Sequence, residues 1–417
     1  MLLEQPLAEL EAPGAARRLS LDLAAVARSP WLVAATVLVV YGVWLLASFA
    51  AGHDARDFIL LNRHRVEMSH RSPLIRYDGD YRPERLGNRG YDGQYAYFIA
   101  LDPLNARYYT DNPGYRYERI LYPVAARLLA LGQPDAIPAT LVLINFLALV
   151  GGTLALAGWL VRKAVTPWLA LLYGFYPGLF LSLRHDLTEP LAFGLVAAAI
   201  FVLQVGGRRR LLLGSLVFAL AVLTREEVAI FPLIYAGSLL LRRSRTTRPH
   251  APGRNREAAV VAGVSLMPFL LWKIFLSFWL GSGGIPSNNL PTLLPFAGIA
   301  RYWPWAPDQL VSVVAVVLPA VLCLIYVGLE LSRRRWSVEV SLLVGNIVLF
   351  VLFLTPSSYG NYTGSGRVAA GVVLCGILCL PLLLRQRQPV PLWLKLVPVL
   401  WMIPWYHDGM WALRWVV

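Results

Sequence analysis

Apolar runs of about 20 residues, the length that crosses the hydrocarbon core of a bilayer as a helix, recur from residue 31 almost to the C-terminus, separated by short polar breaks. The pattern predicts eleven spans, near 31–51, 136–160, 165–183, 189–206, 211–224, 227–241, 258–280, 309–330, 337–355, 366–384 and 390–406. The fifth and sixth are short enough to form a re-entrant pair instead. The expected fold class is therefore all-α: a polytopic membrane protein with a single transmembrane domain over 31–406. A cytoplasmic segment, 1–30, precedes it, and an extracytoplasmic tail, 407–417, follows. One stretch breaks the rhythm. Residues 52–135 are too long for a simple connection, and loops of that length are usually functional. In that loop Tyr95, Phe98 and Ile99, then Ile120, Leu121, Val124, Leu128 and Leu129, recur at helical spacing, interrupted by Pro103, Pro113 and Pro123. That spacing predicts helices lying in the membrane interface.

Composition agrees with a membrane chain, at 57% hydrophobic and 15% charged residues. The formal charge of +14 then has to be read against a bilayer. The basic loops Arg162/Lys163, Arg208 to Arg210, Arg242 to Arg256, Arg333 to Arg335 and Arg385/Arg387 fall on the side of the N-terminus, which the positive-inside rule makes cytoplasmic. The other side receives the acids, from Asp54 to Glu118 in the long loop and Asp186, Glu189, Glu226, Glu227, Asp308 and Asp408 beyond it. The charge thus reports orientation and contact with anionic lipid, and no nucleic-acid module is visible. Residues 1–30 lack the pattern of a cleaved signal peptide, so the first span is expected to remain as an anchor. Cys323, Cys375 and Cys379 lie in apolar runs, which indicates neither a disulfide framework nor a zinc site.

Candidate chemistry gathers on the acidic side. In GYDGQYAYFIALDP, residues 90–103, Gly90 and Gly93 flank Asp92 and allow a sharp turn that exposes its carboxylate. The competing reading makes Asp92 the N-cap of a helix starting near Gln94. Tyr91 and Tyr95 either shape a pocket with Gln94 or belong to an aromatic belt. Asp102, before Pro103, reads as structural. LRHDLTEP (183–190) contributes Arg184, His185, Asp186 and Glu189, and LTREEVAIFP (223–232) contributes Arg225, Glu226 and Glu227. Ionisable groups at membrane depth default to function, whereas at the interface they can simply snorkel. Lys273 sits inside a span and Arg367 follows the glycine-rich SSYGNYTGSGR. At least one of Arg225, Lys273 and Arg367 is expected to bind a phosphate, the alternative being pairing with Glu189, Glu226 or Glu227. His185 and His407 are lone histidines without metal-ligand spacing. Neither a P-loop nor a dinucleotide fingerprint is present.

These stretches carry a resemblance. YDGQYAYFIALDP, then YRYERILYP (115–123), then Thr188-Glu189-Pro190 opening a span and a Leu223-Thr224-Arg225 turn resemble the polyprenyl-phosphate-sugar-dependent glycosyltransferases of the GT-C fold. Within that group the chain is most similar to the family of mannosyltransferases that add the second mannose in glycosylphosphatidylinositol assembly, with their bacterial relatives. The likeness covers roughly residues 31 to 240. It maps the family's loop aspartate onto Asp92 and its Ser-Glu-Ser-like turn onto Leu187-Thr188-Glu189-Pro190, where threonine and proline replace the serines. The resemblance implies a multi-pass enzyme of a bacterial-type plasma membrane with an extracytoplasmic active site. It would move mannose or another hexose from a polyprenyl-phosphate donor to a lipid, glycan or protein acceptor, with inversion, and Asp92 would deprotonate the acceptor hydroxyl. Tyr91, Gln94, Tyr95, Arg184, His185, Glu189, Arg225, Lys273 and Arg367 are the candidate substrate contacts. Membrane lipids and the two substrates are the implied partners, with no nucleic acid; no cofactor is assigned, and a divalent metal is left open. A transporter or lipid flippase, a membrane scaffold, and an O-antigen-type polymerase or ligase are the rival readings.

Overall fold

The structure, a computed structural model, describes residues 28–69, 90–205, 209–241, 252–281, 292–333, 336–384 and 391–416. The predicted cytoplasmic segment up to residue 27, the basic positions Arg208, Arg242 to Arg248, Arg334, Arg335, Arg385 and Arg387, and the acids Asp78, Asp80 and Glu84 lie outside them. So do the side chains of Glu67, His407 and Asp408. Among the described residues the fold is all-helical and no β-strand forms.

The principal helices are α1 (Pro30–Ala50), α2 (Gly93–Leu101), α3 (Leu121–Leu129), α4 (Ile137–Arg162), α5 (Pro177–Arg184), α6 (Glu189–Gln204) and α7 (Arg210–Thr224). They continue with α8 (Ile230–Leu241), α9 (Pro252–Leu280), α10 (Leu318–Ser332), α11 (Val338–Ile347), α12 (Tyr362–Val368), α13 (Ala370–Leu384) and α14 (Leu392–Met402). Proline in the first turn opens α1, α4, α5 and α6, where its missing N–H would have had no partner in any case. Four helical stretches are long and apolar enough to cross a membrane: Pro30–Ala50, Pro134–Arg162, Asn255–Leu280 and Pro307–Ser332. The pair Tyr362–Val368 and Ala370–Leu384, bent by 41°, makes a fifth if it counts as one span. Shorter apolar helices occupy Glu189–Gln204, Arg210–Thr224, Val338–Leu352 and Leu392–Met402.

Two expectations need correction. The stretch 165–183 is broken into Pro167–Ala170, Leu171–Gly174 and α5, because Pro177 forces the residue before it out of helical geometry: Tyr176 is extended at φ −64°, ψ 124°. The helix α2, expected to lie in the interface, is instead inside the protein. Tyr95, Tyr97, Phe98, Ile99 and Leu101 are all buried, packed with Tyr109, Tyr117 and Tyr122 and with Leu141 and Ile144 of α4. Fully burying side chains of this size stabilises by about 1.5–3 kcal/mol each, so the loop carries a core of its own. The helix α3 does keep the expected two-sided character, with Tyr122 and Ala126 buried and Leu128 and Leu129 at 68% and 57% exposure. On α9 the apolar face has almost no protein cover: 17% of its most apolar stretch is buried, and Leu270, Leu271, Ile274 and Phe278 are exposed. An apolar face of that extent calls for a lipid environment.

Charge marks the ends of these elements. Asp92 precedes α2, Glu189 opens α6, Arg225 follows the last residue of α7, and Arg367 lies near the end of α12. The packing of α6 on α7, of α2 on α4 and of α12 on α5 brings those four ends together.

Candidate functional site

Two glycines build the turn at Asp92 for different reasons. Gly90 adopts a left-handed φ of +57°, which a side chain would disfavour. Gly93 is a point of close approach, since a Cβ there would stand 2.1 Å from the His185 carbonyl oxygen. The first turn of α2 is thereby pressed against the 185–186 turn. Asp92 occupies the N-cap position, but its backbone is helical at φ −59°, ψ −29° and its side chain caps nothing. The carboxylate reaches outward to two arginines. Arg367 Nη2 donates to Oδ2 at 2.9 Å, and Arg116 Nη1 stands 3.2 Å from Oδ1. The capping reading of this turn is thus replaced by a charge-pairing one.

Each arginine is itself fixed. Arg116 donates to both oxygens of Asp111 at 2.7 and 2.8 Å and lies over the Tyr95 ring, 4.0 Å from its centroid. Arg119 forks onto Glu226 at 2.7 and 2.9 Å and also meets the Tyr115 hydroxyl. Arg225 is 2% exposed and lies between Glu189 (2.8 Å) and Glu227 (2.6 Å). Arg367 Nε faces Glu189 Oε1 at 3.6 Å, too far for a hydrogen bond, so this N–H is unsatisfied.

These groups border a cleft of about 380 Å³ lined by Asp92, Arg116, Arg119, Asp186, Glu189 and Arg367, with Tyr95, Ile99 and Pro123 as its apolar wall. Its rim and floor differ. Side-chain exposure is 31% for Asp92 and 17% for Arg367 but zero for Glu189, and Asp186 is also fully buried. Burial alone would raise the proton affinity of Asp92, yet Arg367, Arg116 and Arg119 outweigh it and hold the carboxyl well below the usual carboxylate range. Asp186 has no such neighbour, and burial pushes it well above that range, with the Tyr122 hydroxyl as a small offset. Burial, with Arg184 and Arg367, pushes the His185 imidazole well down, so it stays neutral.

The sequence-derived candidates separate into three groups. Asp92, Tyr95, Glu189 and Arg367 line the cleft. Tyr91, His185 and Arg225 stand behind its wall: the Tyr91 ring packs on His185 at 5.0 Å and under Arg367 at 5.4 Å. Gln94, Arg184 and Lys273 do not line it. Gln94 Oε1 accepts from the Asn62 N–H at 3.0 Å and ties α2 to the start of the loop. Arg184 lies over Trp415, and Lys273 Nζ donates to Glu118 at 2.5 Å. Pairing with an acid is therefore what the structure assigns to Lys273 and Arg225, and Asp102 is structural as expected, accepting from the Asn105 side chain. Arg116 and Arg119, which also line the cleft, are the groups that the sequence did not single out, whereas Asp186 stands out in LRHDLTEP but only as one of its charges. The first two sit three apart in YRYERILYP, a spacing that puts both on one side of a helical turn. Among the described residues no three of His, Cys, Asp and Glu gather closely enough to hold a metal ion. No protein-family model, no curated protein and no solved structure matches this chain.

Proposed function

We propose that this chain is a multi-pass membrane glycosyltransferase that moves a hexose from a polyprenyl-phosphate donor to an acceptor hydroxyl on the extracytoplasmic side, with Asp92 as the base. The observation that carries the reading is a carboxylate suspended between Arg367 and Arg116 at the rim of a cleft where helix ends meet. The acceptor oxygen attacks the anomeric carbon from the face opposite the phosphate, the carbon–oxygen bond to phosphate breaks, and the lipid phosphate leaves with the electron pair. The acceptor proton passes to Asp92. Charge on the phosphate rises from one to two negative units in this step, and fixed guanidinium groups favour that change. A phosphate drawing on Arg367 and Arg116 also relieves Asp92 of their field, which raises its affinity for the proton when the proton arrives.

The transporter reading keeps one observation in its favour. Two broken helical stretches, 167–184 and 362–384, pack against each other beside the cleft, and the Tyr176 hydroxyl bonds to the Gly366 carbonyl at 2.9 Å. Broken helices at the bilayer midplane are typical of transporters; against that reading stands the segregation of the acids and cleft arginines to the side opposite the basic loops. Incubating the purified protein in lipid nanodiscs with a panel of polyprenyl-phosphate hexoses and lipid or glycan acceptors tests the proposal. Transfer with inverted anomeric configuration is expected from at least one donor. Failure with every donor, together with lipid translocation in sealed vesicles, would overturn the enzyme reading in favour of the transporter.

A further inference from the structure

We infer that Asp186 forms a sugar subsite on the floor of the cleft, binding hydroxyl groups of the hexose while Arg367 and Arg116 hold the phosphate at the rim. This inference rests on the glycosyltransferase reading above. Three observations carry it. Asp186 lines the same cleft as Asp92 yet is fully buried. Neither of its oxygens makes a hydrogen bond, since the adjacent Tyr122 hydroxyl gives its proton to the Leu141 carbonyl at 3.0 Å and accepts from Asn145 at 2.7 Å. Its backbone is left-handed at φ +49°, a conformation that is uncommon outside glycine but that aspartate tolerates better than most residues.

An unpartnered carboxyl group in an apolar-walled floor is costly, and it calls for a ligand that supplies hydrogen bonds without charge. A phosphate cannot do so, because among the described residues no arginine or lysine pairs with Asp186 to share it. A sugar can, since vicinal hydroxyls both donate and accept and a carboxyl group spans two of them. Burial raises the proton affinity of Asp186, and the protonated form adds a donor of its own to the set. The wall opposite, Tyr95 with Ile99, offers the apolar face against which a hexose ring can lie. The cleft thus divides by chemistry, with guanidinium groups at the opening and an unpaired, buried carboxyl group at the floor.

The test compares two lipids on the full chain in nanodiscs, polyprenyl phosphate and polyprenyl-phosphate hexose, by binding rather than turnover. Asp186→Gly removes the carboxyl group while suiting the left-handed backbone, and Asp186→Asn keeps its shape and part of its hydrogen-bonding capacity. The glycine variant is expected to weaken the sugar-bearing lipid roughly tenfold or more and to leave polyprenyl phosphate within about twofold of the parent. The asparagine variant should fall between them and change the preference between hexose epimers. Equal weakening of both lipids, or an unchanged affinity for the sugar-bearing lipid in a variant that unfolds at the parent's temperature, would overturn the subsite. If the unmutated protein binds neither lipid, the glycosyltransferase reading itself fails and the subsite falls with it.

Discussion

The two ends of the α4–α6–α7 packing make an instructive pair. At one end the helices meet the charged cleft; at the other, Lys163, Gln204, Arg210, Glu257 and Glu339 surround a larger cavity of about 870 Å³. Both are polar, and the larger is the less organised. There Arg210 is exposed and Lys163, Glu257 and Glu339 are half-buried, so water reaches these charges. At the cleft, Glu189 and Arg225 are buried and every guanidinium among Arg116, Arg119, Arg225 and Arg367 is held by at least one carboxylate. Taking charges out of water can cost more than their pairing returns, so the smaller cavity is the one where the fold carries an electrostatic cost. Cost of this kind, rather than volume, singles out the cleft.

Three substitutions sharpen the contrast. The largest effect is expected at Arg225, whose removal leaves Glu227 without its partner and the buried Glu189 with only Arg367 at 3.6 Å. Loss of one partner of a buried pair costs about 3–5 kcal/mol; Arg225→Ala should lower the unfolding temperature markedly while Arg210→Ala leaves it near the parent's. Equal effects at the two ends would erase the distinction. Arg367→Ala comes next. Losing a fixed cation at the developing phosphate charge should reduce transfer by roughly 10²- to 10³-fold, and lysine should not restore it, because an ammonium cannot face Asp92 and Glu189 at once as the planar fork does. Full activity of Arg367→Lys in the transfer assay would place the phosphate elsewhere.

The smallest effect concerns Glu118, at the lipid-facing edge beside Lys273. Burial pushes its carboxyl from 4.5 up to about 7, against the pull of the Lys273 hydrogen bond. A carboxyl group whose folded value is raised stabilises the fold fully below its unfolded value and loses that contribution as pH climbs through the folded one. The unfolding temperature should therefore fall modestly between pH 5 and pH 8, the window that those two values set, and Glu118→Gln should flatten the slope. A slope that survives the substitution would mean another group titrates there.

How far the sequence discloses this molecule follows from which interactions are local. Apolar runs place α1, α4 and α9 closely, because length and hydropathy are properties of a contiguous stretch. The break before Pro177 is legible in the Tyr-Pro dipeptide, but the 41° bend at Ala369 has no proline or glycine at the break to announce it. Asp92, Glu189, Arg225 and Arg367 stand out as charges at the ends of apolar runs. What they touch does not: Arg367 meets Asp92 across 275 positions and Lys273 meets Glu118 across 155. Lys273 reads as a phosphate ligand only while its partner is invisible. Gln94 takes its apparent role from its neighbour's chemistry, although its amide is taken up by the backbone of Asn62.

The claim at the centre of the account is that Asp92 takes the acceptor's proton while Arg367 and Arg116 turn to the phosphate. Single-turnover transfer by Asp92→Asn, measured alongside binding of the polyprenyl-phosphate hexose to the same preparation, tests it most directly. The account predicts a loss of roughly 10²- to 10⁴-fold in the transfer rate in a protein that still folds, and donor affinity equal to the parent's or tighter, since Asp92 no longer competes with the phosphate for Arg367 and Arg116. Transfer at the parent's rate would contradict it, and would leave Asp92 as no more than a counter-charge for two arginines.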